Sequence, residues 1–234
     1  MTRILALAAL IALALGVTGS ATAQRPGDGL APRFQVDPWW PKPLPNNWLM
    51  GQAAGIAVDR HDHIWVIQRP KTLTEDERGA TLNPPRSLCC APAPPVLEFD
   101  ADGVLVRSWG GPGAGYEWPL NEHGIFVDHQ DNAGSSTCAP ATRGNGSVWD
   151  LDVSHDAPQT WLYNADGENS HIWTLLRDNG QIVGKFGRHG RQAGQLHWVH
   201  NLAVDSKGNV YTAEVDSGKR AQKFVFKGVG PAEP

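Results

Sequence analysis

The strongest constraint on this chain is an internal repeat. Gly103 and Gly180 stand 77 residues apart, and "DADGVLVRSWG" around the first lies over "LRDNGQIVGKFG" around the second. In that register Leu105 falls on Ile182, Trp109 on Phe186 and Gly110 on Gly187. His123 then falls on His200, and Asp128 on Asp205, with 20 residues from glycine to histidine in both copies. Self-similarity at a fixed period signals an array of like units, each burying its apolar face against the next.

Each unit reads as short strands joined by turns. "GIAVDRHDHIWVI" (55–67) and "NLAVDSKGNVYTAEV" (201–215) alternate, break at polar turn residues and alternate again. "PVLEFDADGVLVRSW" (95–109) and "HIWTLLRDNGQIVGKF" (171–186) each supply two further strands. Four strands followed by a glycine-rich crossover such as "GGPGAG" describe one blade of a radial sheet assembly. A β-sandwich is the alternative, but nothing in it requires a 77-residue register. Inner strands are expected at 55–59, 123–128, 149–153 and 200–205. The last blade lacks an outer strand, which "RFQVDPWW" near the N terminus is expected to supply. After "GIFVDHQDN" comes "AGSSTCAPATRGNGS", too polar for a further buried strand, so the array is expected to be shortened there.

Residues 1–23 have a basic head, an apolar run from Ile4 to Val17 and an Ala-x-Ala end, the pattern of a signal peptide. The propeller is then expected over 24–228 with a tail at 229–234. The protein is expected in the periplasm or secreted, with no membrane anchor once the signal is cleaved. Without Arg3 the chain has 19 basic and 24 acidic side chains, a net charge of −5, which offers nucleic acid no basic footprint. Of Cys89, Cys90 and Cys138, one pair is expected to bridge, with buried thiols at 89 and 90 as the alternative. The excursion 70–95 contains "LTEDERGA", a turn or two of helix at most, between prolines that end any longer element.

"GIAVD…IWV", "LEFDADGVLVRSWG" and "HNLAVDSKGNVYTAEVDSGKRAQKF" resemble NHL repeats. From about residue 33 to 228 the chain is similar to exported bacterial six-bladed NHL propellers. More distantly, it resembles peptidyl-α-hydroxyglycine α-amidating lyases. A complete family member has six blades, so the resemblance implies a chain short by about two, with the gap near 129–148. It also implies zinc held by histidines at inner-strand starts, here His123 and His200, and an arginine for substrate carboxylate, here Arg69. The next inner strand carries Asp150 where the third histidine is expected, and a carboxylate is an ordinary zinc ligand. Gly167 stands where the lyases have an arginine, and Asn201 where they have an aspartate.

Two functions follow as expectations. One is a module that binds a protein, peptide or small molecule, with His123 and His200 as polar residues lining a wet channel. The other is a zinc-dependent lyase cleaving a C–N bond. The histidines of "HDH" (61–63) and "ENSH" sit in turns, where exposure is the expected state. Trp118 and Trp198 lie near crossover loops, placed either to pack blades or to flank a ligand. No Gly-x-Ser-x-Gly elbow or phosphate loop is present.

Overall fold

The computed structural model describes residues 29–114, 118–127, 133–136 and 148–231. The signal-like segment 1–23, Asp128 and Cys138 lie outside the described residues. In chain order the strands are β1 (Leu30–Asp37), β2 (Trp48–Leu49), β3 (Gln52–Val58), β4 (Ile64–Arg69), β5 (Ala91–Pro92), β6 (Val96–Phe99), β7 (Leu105–Trp109) and β8 (Gly124–Val127). They continue as β9 (Ala133–Ser136), β10 (Asp150–Val153), β11 (Trp161–Asp166), β12 (His171–Leu176), β13 (Ile182–Phe186), β14 (Val199–Val204), β15 (Val210–Glu214) and β16 (Arg220–Pro231).

Three sheets have four antiparallel strands: β3-β4-β6-β7, β10-β11-β12-β13 and β14-β15-β16-β1. A fourth is the pair β8-β9, and β2 pairs with β5 in parallel. The outer strand of the last sheet comes from the N-terminal side: β1 lies antiparallel to β16, with Phe34 opposite Phe226 and Asp37 opposite Lys223. β1 thus covers the free side of β16 and becomes the outer strand of that sheet. β16 runs to Pro231, so residues 229–231 belong to strand.

The segment after Val127, read as polar loop, contributes β9. Its backbone ladders onto β8, with Gly124 opposite Ser136 and Val127 opposite Ala133. Apolar periodicity could not reveal it, because a hydrogen-bond ladder needs no apolar side chain.

The inner strands pack side by side in the order β8, β3, β14, β10. Each sheet therefore radiates from a common centre, in an open, propeller-like arrangement not closed into a barrel. Middle strands are covered on both faces: Ile64, Trp65, Val66 and Ile67 of β4 are all buried, as is all of β15. Trp40 packs between Phe99 and Tyr211, tying the first sheet to the last.

One aspartate turn recurs at strand ends. Asp205 Oδ1 accepts the backbone N–H of Lys207 and Asn209, and its Oδ2 accepts Asn209 Nδ2 and the Tyr211 hydroxyl. Asp59 does the same with the N–H groups of His61 and His63 and with Trp65 Nε1. Asp100 repeats the backbone part with Asp102 and Val104. A carboxylate holding N–H groups two and four residues ahead fixes the hairpin geometry that the repeated "D-x-x-G/x-N/H" spacing encodes.

The excursion after β4 has no α-helix. Thr74 N–H donates to Glu77 Oε2 at 2.7 Å, a single capped turn, and Lys219 Nζ ties Glu77 to the last sheet at 2.7 Å. Cys89 and Cys90 are bridged to each other, and Cys89 is exposed. This removes the alternative of two buried thiols: prolines on both sides keep the segment at the surface.

Asp205 is fully buried, whereas Asp100 is partly exposed. Asp205→Ala is expected to cost about 3 kcal/mol in urea unfolding and Asp100→Ala about 1 kcal/mol, because only the former strands buried donors. Equal losses would show that the turn network does not depend on burial.

Candidate functional site at the inner-strand starts

β8 and β14 lie on either side of β3, and each has its histidine at the same end. The rings of His123 and His200 meet with centroids 4.7 Å apart at 76°. Counting back from the ends of β10 and β14 puts Trp149 in register with His200, and the two rings touch at 5.8 Å. The corresponding position of β3 is Ala54, whose carbonyl lies 3.0 Å from His200 Nδ1. Facing a carbonyl, Nδ1 must donate, so His200 is fixed as the Nδ1–H tautomer and its Nε2 carries a free lone pair.

Arg69, the last residue of β4, donates from Nε to the Glu122 carbonyl at 2.6 Å and from Nη1 to Gln52 Oε1 at 3.0 Å. Those bonds hold the cation beside the imidazoles. Burial, then the field of Arg69, lowers the pKa of His123. Burial, then the charges of His123 and Arg69, lowers that of His200 to about 4, against a smaller opposing effect of the bond to Ala54. Both rings are neutral at pH 7, the state required of a metal ligand.

Asp150 lies one residue beyond Trp149 and turns toward β14. Its Oδ2 accepts Asn201 Nδ2 at 2.6 Å and the Leu202 N–H at 2.8 Å. Asp152, two residues on and on the same face, accepts the Val204 N–H at 2.9 Å. Burial raises the pKa of both carboxyls, opposed by these bonds. The pair joins neighbouring blades.

A different set of donors converges in the first sheet. Asp59, His63 and Glu98 bring one ligand atom each within 4.8 Å of one another, a set able to hold a metal such as zinc. His63 Nδ1 is 2.7 Å from Glu98 Oε1, while Glu98 Oε2 pairs with Arg107 and Asp59 holds its turn. A metal there competes with hydrogen bonds from the second, fourth and sixth residues after Asp59, as in the Asp205 turn of the last sheet. Local sequence placed His63 in an exposed turn. Its partner Glu98 is 35 residues away, and only the β4–β6 pairing brings it close.

Two tryptophans border the histidine pair. Trp149 and Trp198 meet edge to face at 5.4 Å, and His197 stacks over Trp198 at 6.4 Å. Trp198 has φ +50°, a conformation costly for a bulky residue and concentrated at ligand-binding positions. Trp149 fills the space beside Gly167, where any Cβ would lie 2.3 Å from the indole. Trp118 instead packs over Gly110 and donates to Glu122 Oε1 at 2.8 Å. His171 lies against Trp173, apart from this cluster, and His197 pairs with Asp216 at 2.9 Å.

No protein-family model matches the chain. Among solved structures it is similar to an auxiliary nutrient binding protein from Bacteroides ovatus, with 11% identity over 76% of this chain and 60% of that one, at a TM-score of 0.28. A catalytically inactive virginiamycin B lyase from Staphylococcus aureus with quinupristin matches at 11% identity, over 84% and 61%, with a TM-score of 0.23. A gluconolactonase from Xanthomonas campestris matches at 13% identity, over 73% and 60%, with a TM-score of 0.22. The chain thus spans about three fifths of the length of these structures. Alignments at such scores establish neither shared fold nor shared activity, and the propeller-like arrangement rests on the sheets themselves.

The low pKa of His200 makes stability depend on pH. The unfolded imidazole takes up a proton near 6.5 and the folded one near 4, so the unfolded state binds more protons between them. Stability is full above about pH 6.5 and falls as pH drops toward 4, by on the order of 3 kcal/mol. His200→Gln is expected to flatten that part of the curve in urea titrations at successive pH values; an unchanged slope contradicts the assignment. Arg69→Gln is expected to raise both imidazole pKa values in proton NMR titration.

Proposed function

We propose that this chain is an exported NHL-type propeller, a six-bladed form shortened by about two blades. In this reading its axial site binds a divalent cation such as zinc together with an anionic ligand. The observation that carries this reading is the His123–His200 pair: two neutral imidazoles from separate sheets, 4.7 Å apart, one with its Nε2 lone pair free by virtue of the bond to Ala54. A histidine whose second nitrogen is tied to a backbone carbonyl is the usual arrangement of a metal ligand. Export is supported by the pattern of residues 1–23, and among the described residues no helix is long and apolar enough to cross a membrane.

His123 and His200 would hold the metal; Asp150 is engaged by Asn201 and Leu202 and, among the described residues, does not converge with the two histidines into a three-donor set. The metal would supply Lewis acidity toward an oxygen of the ligand. Arg69 positions the ligand. Its guanidinium stands beside the rings and opposes a lone cation, so an anionic group answering both charges makes the site favourable. Trp149 and Trp198 exclude water on the far side. The resemblance to amidating lyases suggests C–N cleavage of a small carboxylate substrate as the reaction class.

The charge of Arg69 also favours a second reading, in which the site takes an anionic ligand without metal and the protein is a binding module. Metal analysis separates the two. After incubation with zinc and desalting, about one zinc per chain is expected, lost in the His123→Ala, His200→Ala double variant and kept in His63→Ala. Zinc that follows His63 would move the site to the Asp59 cluster; no retained zinc would leave the metal-free reading.

A further inference from the structure

A cavity of about 330 Å³ opens on the first sheet, where β4 ends and β6 begins. Trp48 of β2 and Trp118 stand in its walls, and five of the residues lining it are prolines, among them Pro70 and Pro94. Glu122 and Lys71 are the charged side chains of the lining. Glu122 directly precedes His123 and Pro70 directly follows Arg69, so the cavity adjoins the axial site. Apolar walls with a few polar groups, at this size, suit a small molecule.

Three observations say what it takes. The first is the Glu122 carboxylate, which is 3% exposed and joins no ion pair among the described residues. Its Oε1 accepts the Trp118 Nε1–H at 2.8 Å, which fixes both side chains in the wall. Arg69 reaches the Glu122 backbone carbonyl instead and is not part of the lining. A buried carboxylate without a counter-cation costs free energy that a cationic guest offsets. The second is the wall itself. Prolines have no N–H and the Trp118 N–H is spent on Glu122, so an anion finds few donors there, whereas indoles attract a cation. The third is Lys71, which is exposed and has no carboxylate partner among the described residues, leaving a positive charge at the mouth.

From this arrangement we infer that the cavity is a second ligand site, for a small zwitterion of the betaine class, with a methylated ammonium at one end and a carboxylate at the other. A fully methylated ammonium has no N–H to donate, so it needs the charge of Glu122 and not a free oxygen. It lies inside with the two indoles. The carboxylate faces outward to Lys71.

Isothermal titration calorimetry on the metal-free full chain tests this with glycine betaine and 3,3-dimethylbutyrate, which has the same carboxylate but a neutral tert-butyl group in place of the ammonium. Betaine is expected to bind saturably and about tenfold more tightly. Glu122→Gln, which keeps an oxygen for the Trp118 N–H, is expected to erase that difference. Lys71→Met is expected to weaken betaine severalfold and to leave choline, which lacks the carboxylate, unaffected. Equal binding of the two probes, no binding of betaine, or betaine binding indifferent to either substitution overturns the inference. His123→Ala is expected to leave betaine binding unchanged; its loss there would assign the zwitterion to the axial site and overturn the inference as well.

Discussion

Neighbouring inner strands belong to separate sheets and share no backbone ladder, and side chains take over the pairing. Asp150 and Asp152 of β10 accept the N–H groups of Leu202 and Val204 in β14. Asn201 of β14 then accepts the N–H of Ile56 in β3 and donates to Asp150. Buried N–H groups without partners would each cost one to a few kcal/mol, so these short polar side chains decide whether blades pack at all. Where β3 meets β8 the solution is closeness: a Cβ at Gly55 would come within 2.9 Å of the His123 carbonyl. The same stitching aligns the strand starts and thereby brings the two histidines together.

Much of this organisation is visible in the sequence because the repeat fixes it. The register of His123 on His200, the four inner strands, and the closing strand from "RFQVDPWW" all follow from period and alternation. The roles of Asp150 and Asp152 do not. Alternating aspartates in a strand say which face they share, but their partners lie some 50 residues away in another blade. His63 escaped for the same reason, its neighbour Glu98 being set by strand pairing. Trp149 occupies the histidine register of its blade, which alternation alone does not reveal. The signal that could have shown this was the count from strand end to Trp149, matched against "HNLAV". The pairing of β9 with β8 left no apolar trace to read.

The axial site balances opposing demands. Burial and Arg69 strip the protons from both imidazoles, which prepares them as ligands, while the same guanidinium repels a bare cation. A ligand that brings negative charge reconciles the two. The Asp59, His63 and Glu98 set is the converse case, rich in carboxylate but already committed to its turn and to Arg107. The two donor sets differ in which side holds spare capacity: lone pairs at the axis, charge in the first sheet.

Contact between imidazoles from separate blades is the point on which sheet packing and chemistry both turn. Nuclear Overhauser spectroscopy on histidine-labelled protein, with resonances assigned through His123→Gln and His200→Gln, observes it directly. Cross-peaks between the two rings are the predicted result. Their absence in a folded, fully assigned sample would mean that the strand starts do not share a centre, and the account would fail with it.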